Sequence, residues 1–413
     1  MGISSEFKPI GMNSKDVYSH LKEARANEPV FFSEIYNFWV VTRYDDLVNV
    51  LMDEKHFTAE GSLDSLNKNY GEKANAIIKK GIDWRIVHHL QNTEGADHKR
   101  LRDLLKTIIP PSRVRKMEPI IRQITNQLID RMLEQNSCEF VSSFAYPLPI
   151  LTIFEIIGFN ESEEDLAQLQ LWSGNTFKMF LNPMQEDEEA ICAKDAVDFQ
   201  RYFQKKIDQR RREPRDDLMT ELILAADAGE SNFSDEELIL LFILGLIGAG
   251  YSTTLAQITN MIYQLLNDPE RWQYVINNPD KIDEIVEESI RFDPAILGWF
   301  RVALHDISFG GKDIAKGDLV FISFGSANRD ENKFEDSESF CPVRPNRKRP
   351  MTFSQGRHAC PGSALARLEL QIALEELAKR IPSMRLVPDQ SIQYAPSLPA
   401  RAITSLQVEW DKP

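Results

Sequence analysis

From Leu238 to Asn267 the chain carries no charged residue. A helical run of that length is long enough in principle to cross a bilayer. It therefore belongs either in a membrane or in the middle of a large folded core. Its composition favours the core. Gly245, Gly248, Gly250, Ser252, Thr253, Thr254, Gln257, Thr259 and Asn260 interrupt the apolar residues, and Asp235-Glu236-Glu237 stand just before them. Ser234 followed three residues later by Glu237 is a capping-box pattern, which places the start of a long central helix. Glycine and threonine are poor helix-interior residues, costing up to ~1 kcal/mol each relative to alanine. Their clustering needs a physical reason, either close packing of another helix or a ligand lying alongside. Residues 245, 248, 249 and 252 are small and recur at helical spacing, as a flat molecule against the helix would require.

A second stretch points to chemistry. In Phe353-Ser354-Gln355-Gly356-Arg357-His358-Ala359-Cys360-Pro361-Gly362, two glycines allow a tight backbone path around one cysteine. Pro361 suits the first position of a helix, and 364–380, rich in Leu, Ala, Glu and Arg, reads as that helix. A thiolate at a helix N-terminus is stabilised by the dipole and by N–H groups without helical partners. Cys360 is thus a candidate ligand for a soft metal; the plain alternative is a structural cysteine on a turn. The other cysteines, Cys138, Cys192 and Cys341, are widely spaced with no CxxC pair. That excludes a zinc site and a disulfide framework and fits a reducing cytosol. The net charge of −15 argues against nucleic acid or an anionic membrane as partner, since both call for a basic footprint. Residues 1–9 show no basic segment leading into an apolar one, so the expected location is cytoplasmic.

The pattern Phe-x-x-Gly-x-x-x-Cys-x-Gly resembles the haem-ligating loop of the cytochrome P450 family, and 248–254 resembles that family's oxygen-binding groove. The resemblance implies a mainly α fold: a single large helical domain over 1–413 with a small β-rich lobe. Haem b (iron protoporphyrin IX) would lie between the central helix, at Ala249, and the cysteine loop, with Cys360 as axial ligand favouring O–O cleavage. Two buried propionates need charged partners, and by resemblance these are His98, Arg102, Arg301 and His358. Thr253 would be the hydroxyl that manages dioxygen. Where the family usually has an acid before that threonine, this chain has Ser252. The hydroxyls of Ser252 and Thr253, with ordered water, are then expected to carry the protons. Glu288 and Arg291, with Arg344, match a structural Glu-Arg-Arg network that holds the cysteine loop and has no catalytic role.

The remaining elements read in order. Helices are expected over 16–26, 44–52, from 97, and over 117–133, 147–157, 166–180, 193–212, 216–226 and 282–292. A hairpin is expected over 29–42, strands with Gly-rich turns between 296 and 322, and short strands in the tail, 385–410. Residues 60–93 read as one long irregular segment, which in a compact domain is usually functional. By resemblance it roofs a substrate pocket.

The implied function is a haem-thiolate monooxygenase that inserts one oxygen atom from O2 into a C–H bond of a small apolar substrate, by hydroxylation or O-demethylation. Compact terpenoids and small aryl ethers are the analogues. Pocket candidates are His88, Leu90, Gly245, Gly248, Ile296, Leu297, Trp299 and Leu398. Two rival classes are a peroxide-driven haem-thiolate peroxygenase and a non-catalytic haem sensor. The 413 residues hold no Rossmann-type glycine fingerprint, so electrons are expected from a separate acidic ferredoxin or flavodoxin-like carrier with its reductase. Ten basic residues are expected to form its docking patch: Lys99, Arg100, Lys106, Arg113, Arg115, Lys116, Arg347, Lys348, Arg349 and Arg357.

Overall fold

The structure is a computed structural model describing residues 7–8, 14–62, 70–159, 163–181, 184–228, 233–344 and 349–411. Mainly helical with a small β lobe, it has the expected fold class. The chain divides into two compact units. One comprises Met1–Thr58, Met117–Leu148 and Thr253–Pro413, and the other Ala59–Lys116 and Pro149–Ser252.

The first unit holds the β structure. Five strands order as Val30–Ser33, Phe38–Val41, Leu319–Ile322, Trp299–Ala303 and Phe57–Thr58. All neighbours are antiparallel except Phe38–Val41 beside Leu319–Ile322, which run parallel. β-branched and aromatic residues fit this pleated surface. Val30, Val41, Val320, Ile322 and Ala303 bury one face against Leu47, Val50 and Leu51 of helix Tyr44–Met52. Ile307–Phe309 and Lys312–Ile314 form a tight hairpin whose two turn residues, Gly310 and Gly311, have φ of 59° and 75°. In a second sheet the tail strand Gln407–Glu409 lies between Ser137–Glu139 and Arg385–Leu386, antiparallel to both.

The second unit is helical. Helices Glu163–Leu181 and Glu186–Arg212 run antiparallel: Trp172 meets Phe199, Asn175 donates to Asp195 and Lys178 pairs with Glu188, so partner numbers fall as helix numbers rise. Glu186–Arg212 begins seven residues before the expected 193, in an acidic turn with no apolar period to announce it. Residues 60–93 are not wholly irregular, since Glu72–Ile78 is a helix; the expected pocket-roof residues 63–69 lie outside the described residues. The helix Gly95–Ile108 starts two residues before Asp97.

The central helix begins where the sequence places it. Ser234 Oγ accepts from Glu237 N at 3.1 Å, and Glu237 Oε2 accepts from Ser234 N at 3.0 Å. After Asp235–Leu240 it widens to a π-helical stretch, Leu241–Gly248, then returns to α over Ala249–Leu266. The boundary between the units falls inside it, between Ser252 and Thr253. Among the described residues this is the one helix long and apolar enough to cross a membrane, and 61% of its most apolar window is buried within the protein.

Candidate haem-thiolate site

In the first unit the cysteine loop is built from backbone constraints. Cys360 N donates to Phe353 O at 2.8 Å and Ala359 N to Gly356 O at 3.1 Å, folding 353–360 on itself. Gly356 has φ 74°, and a Cβ there would lie 3.2 Å from Leu51 O and Met52 Sδ. Only glycine meets both demands. Helix Ser363–Arg380 starts three residues after the cysteine, so Pro361 and Gly362 form the turn before it rather than its first residues. The Cys360 side chain is exposed. Burial pushes the thiols of Cys138 and Cys192 up to about 11, so both stay protonated at neutral pH. An exposed sulfur ahead of an 18-residue helix has the surroundings a metal-bound thiolate needs.

The loop is anchored to a buried ion network. Glu288 receives Arg291 through two hydrogen bonds of 2.7 and 2.8 Å, Arg344 Nη2 at 3.0 Å and the Cys341 amide at 2.7 Å. Burial alone would raise the Glu288 carboxyl pKa, but hydrogen bonds from Arg291 and Arg344 outweigh it and hold it below the usual range. Arg291 then donates to the carbonyls of Asn328, Ser337 and Ser339. Asn328 continues the chain, accepting from Met351 N at 2.6 Å and donating to Thr352 Oγ1 at 2.8 Å. The expected Glu-Arg-Arg network is therefore present, and it ends on the turn Met351–Phe353 that opens the cysteine loop.

The family is decided by comparison with known proteins. The sequence model described as Cytochrome P450 matches residues 11–381. Cytochrome P450 107B1 of Saccharopolyspora erythraea is 32% identical over 90% of this chain and 88% of its own length. The chain belongs to the cytochrome P450 family. The mycinamicin IV hydroxylase/epoxidase of Micromonospora griseorubida is 33% identical, covering 90% of this chain and 89% of its own. Among solved structures, cytochrome P450 CREJ in complex with (4-ethylphenyl) dihydrogen phosphate superposes with TM-score 0.90 at 31% identity, over 99% of this chain and all of that one. This P450 is accordingly a monooxygenase, an oxidoreductase whose cofactor is haem b with cysteine thiolate ligation. Residues of the first unit fit that group: an exposed thiol ahead of a helix, with Arg301 buried and His358 half-buried in the same unit.

The P450's other expected site residues divide between the units. In the first, Arg301 is buried on strand Trp299–Ala303, its Nη1 donating to Phe300 O at 2.7 Å, and His358 closes the turn Gly356–His358. Leu297 N donates to Pro399 O at 2.7 Å and Ile296 bridges Ala400, which brings Ile296, Leu297 and Leu398 together. Trp299, like Ile296, packs partly buried against the sheet core. Thr253 is half-buried at the start of this unit's share of the central helix.

In the second unit His98 is buried and Arg102 half-buried on helix Gly95–Ile108, at i and i+4. Ser252 Oγ donates its proton to Gly248 O, one turn back, at 2.8 Å. Its hydroxyl is thus engaged as a donor within the helix and keeps its lone pairs for accepting. A Cβ on Gly248 would collide with the Phe177 ring, so that glycine admits an aromatic ring from helix Glu163–Leu181. Gly245 faces only Leu241 of its own helix. Phe177 was not legible in the sequence, where it reads as one more apolar residue. Of the two adjacent histidines, His88 is at the surface, 56% exposed and 3.4 Å from Asp97, while His89 is buried beside the buried Leu90.

The basic patch is largely neutralised from within. Lys99 and Lys106 both bond Asp103, whose carboxyl they pull down to about 2. Arg100 pairs with Glu237 and Asp97, Arg113 with Glu221, and Arg357 with Glu54. Arg115, Lys116 and Arg349 are exposed, and Arg347 and Lys348 lie outside the described residues. Five of the ten expected basic residues, Lys99, Arg100, Lys106, Arg113 and Arg357, are thus paired with carboxylates.

Proposed function

We propose that this P450 inserts one oxygen atom from O2 into a C–H bond of a small, mainly apolar substrate, with Cys360 as the haem ligand. The exposed Cys360 in its folded 353–360 loop carries the proposal. The haem supplies oxygen activation; the chain's residues bind, orient and move protons. By family resemblance His98, Arg102, Arg301 and His358 would hold the propionates, with Ala249 against the ring. Thr253 would hold a proton-donating hydroxyl toward the oxygen site, with Ser252 accepting. Ile296, Leu297 and Leu398, which lie together in one unit, would shape part of the substrate site. Oxygen insertion is in line with the relative named as a hydroxylase and epoxidase, and a small aromatic substrate with the ligand of CREJ. Electrons would come from a separate acidic carrier in the cytoplasm, met by Arg115, Lys116 and Arg349.

The test is spectroscopic, then catalytic. The reduced carbon monoxide complex should show the absorption band of thiolate ligation, and Cys360→Ala should abolish it; a band that persists in the variant ends the assignment. Candidate substrates, screened by haem spin-state shift, should give product with O2, NADH and a reductase chain. Product with peroxide alone would establish the peroxygenase, and none under either condition the sensor.

A further inference from the structure

The segment leading to Cys360 makes two left-handed steps within three residues, Ser354 at φ 57°, ψ −178° and Gly356 at φ 74°. Glycine takes such a conformation freely. Serine does not, since positive φ with ψ near 180° is a region essentially reserved for glycine. A strained residue persists only where its surroundings over-determine it, and here the surroundings are specific. Gln355, between the two steps, donates from Nε2 to Tyr44 Oη at 3.1 Å and lies 3.2 Å from Met351 Sδ. The same Tyr44 hydroxyl donates to Arg349 O at 3.0 Å. One hydroxyl thus joins both ends of 349–355.

Tyr44 is itself held. It is the first residue of helix Tyr44–Met52, its amide donates to Asp330 Oδ2 at 2.9 Å, and its ring stands edge-on to Phe334. The far end of that helix receives Gly356 against Leu51 and Met52. Because Cys360 N is bonded to Phe353 O, a displacement of the Ser354 turn is transmitted to the sulfur.

We infer that the Tyr44–Gln355 tie is a positioning device for the thiolate: it holds the strained turn at Ser354 and so fixes where Cys360 Sγ sits. Neither residue is among those proposed to hold the cofactor. The inference rests on Cys360 being the haem ligand.

The experiment uses the full-length holoenzyme and follows, in mild denaturant, how fast the reduced carbon monoxide complex loses its thiolate-ligated band. The reduction potential is measured alongside. Tyr44→Phe should speed the loss about thirtyfold, the factor that two net hydrogen bonds are worth, and shift the potential. Gln355→Leu, which keeps the Tyr44–Arg349 bond, should act in the same direction and serves if Tyr44→Phe folds poorly. The deciding variant is Ser354→Gly, which removes the strain. In that background Tyr44→Phe should cost much less, a coupling that a double-mutant cycle measures. Equal effects of Tyr44→Phe in both backgrounds, or no change in band or potential, would overturn the inference. Cys360→Ala separates the two failures. If its band persists, the ligand assignment falls and the inference with it; if its band is lost while Tyr44→Phe behaves as wild type, only the positioning role falls.

Discussion

The cysteine loop of the first unit and residues 70–93 of the second, irregular but for helix Glu72–Ile78, are both fastened to helices, but by opposite means. Behind the loop stand a buried carboxylate and two buried arginines whose remaining donors end on backbone carbonyls. Residues 70–93 are fastened to helix Glu186–Arg212 by single side chains. Gln200 clamps the amide and carbonyl of Ile82 at 2.7 and 2.9 Å, Glu189 accepts from Gly71 N at 2.9 Å, and Lys73 pairs with Asp187 at the surface. A buried network fails as a whole, because removing one member leaves charges uncompensated. A set of separate fasteners can be altered one at a time. Such an arrangement suits a fixed ligand in the first case and a changeable binding surface in the second.

The largest expected effect follows from the first fastening. Glu288→Ala leaves Arg291 and Arg344 buried without their counter-charge, a loss of about 3–5 kcal/mol. Denaturant unfolding of the purified protein should show a large drop in midpoint and in retained haem. A midpoint equal to wild type would break the comparison at its strong end.

An intermediate effect comes from His89, inside residues 70–93. Burial drives its pKa down to about 4, against an ordinary value of 6.5. Below 6.5 the unfolded chain takes up a proton that the folded histidine refuses, so stability is full above pH 6.5 and falls progressively toward pH 4. The loss is on the order of 2 kcal/mol by pH 5. The Glu288 carboxyl, depressed below 4.5, contributes stability that is lost only as pH falls below that value. Acidification from pH 7 to 5 should therefore lower the thermal midpoint, and His89→Gln should flatten that dependence. An equally steep slope in the variant would place the acid sensitivity elsewhere.

How much of this was legible in the sequence depended on where the partners lie. The central helix declared its start because Ser234 and Glu237 are three residues apart. The cysteine loop declared itself because glycine, proline and cysteine fall within ten residues. What stayed hidden depends on contacts remote in the chain. Helix Glu72–Ile78 begins at Gly71, which offers no side-chain cap, and is placed by a helix more than a hundred residues away. The π-helical stretch has the same apolar composition as α-helix. The basic residues read as a patch because Glu221 and Glu237, which neutralise Arg113 and Arg100, are far off in sequence.

The smallest effect is expected at the surface of the second fastening. Lys73 and Asp187 are 2.8 Å apart, yet their side chains are 61% and 87% exposed. An ion pair in that position trades water contacts for a weak attraction, loses side-chain entropy and is screened by salt, so its net contribution to stability is small. Lys73→Ala should leave the thermal midpoint nearly unchanged at physiological ionic strength, with any difference shrinking further as salt is raised. Gln200→Ala, a few turns along the same helix, should act differently. It strips partners from the Ile82 backbone, which salt does not screen, and hydrogen exchange around 79–83 should rise at every ionic strength. If Lys73→Ala instead opened that segment as much as Gln200→Ala does, residues 70–93 would be held cooperatively after all, and the contrast with the cysteine loop would reduce to one of burial alone.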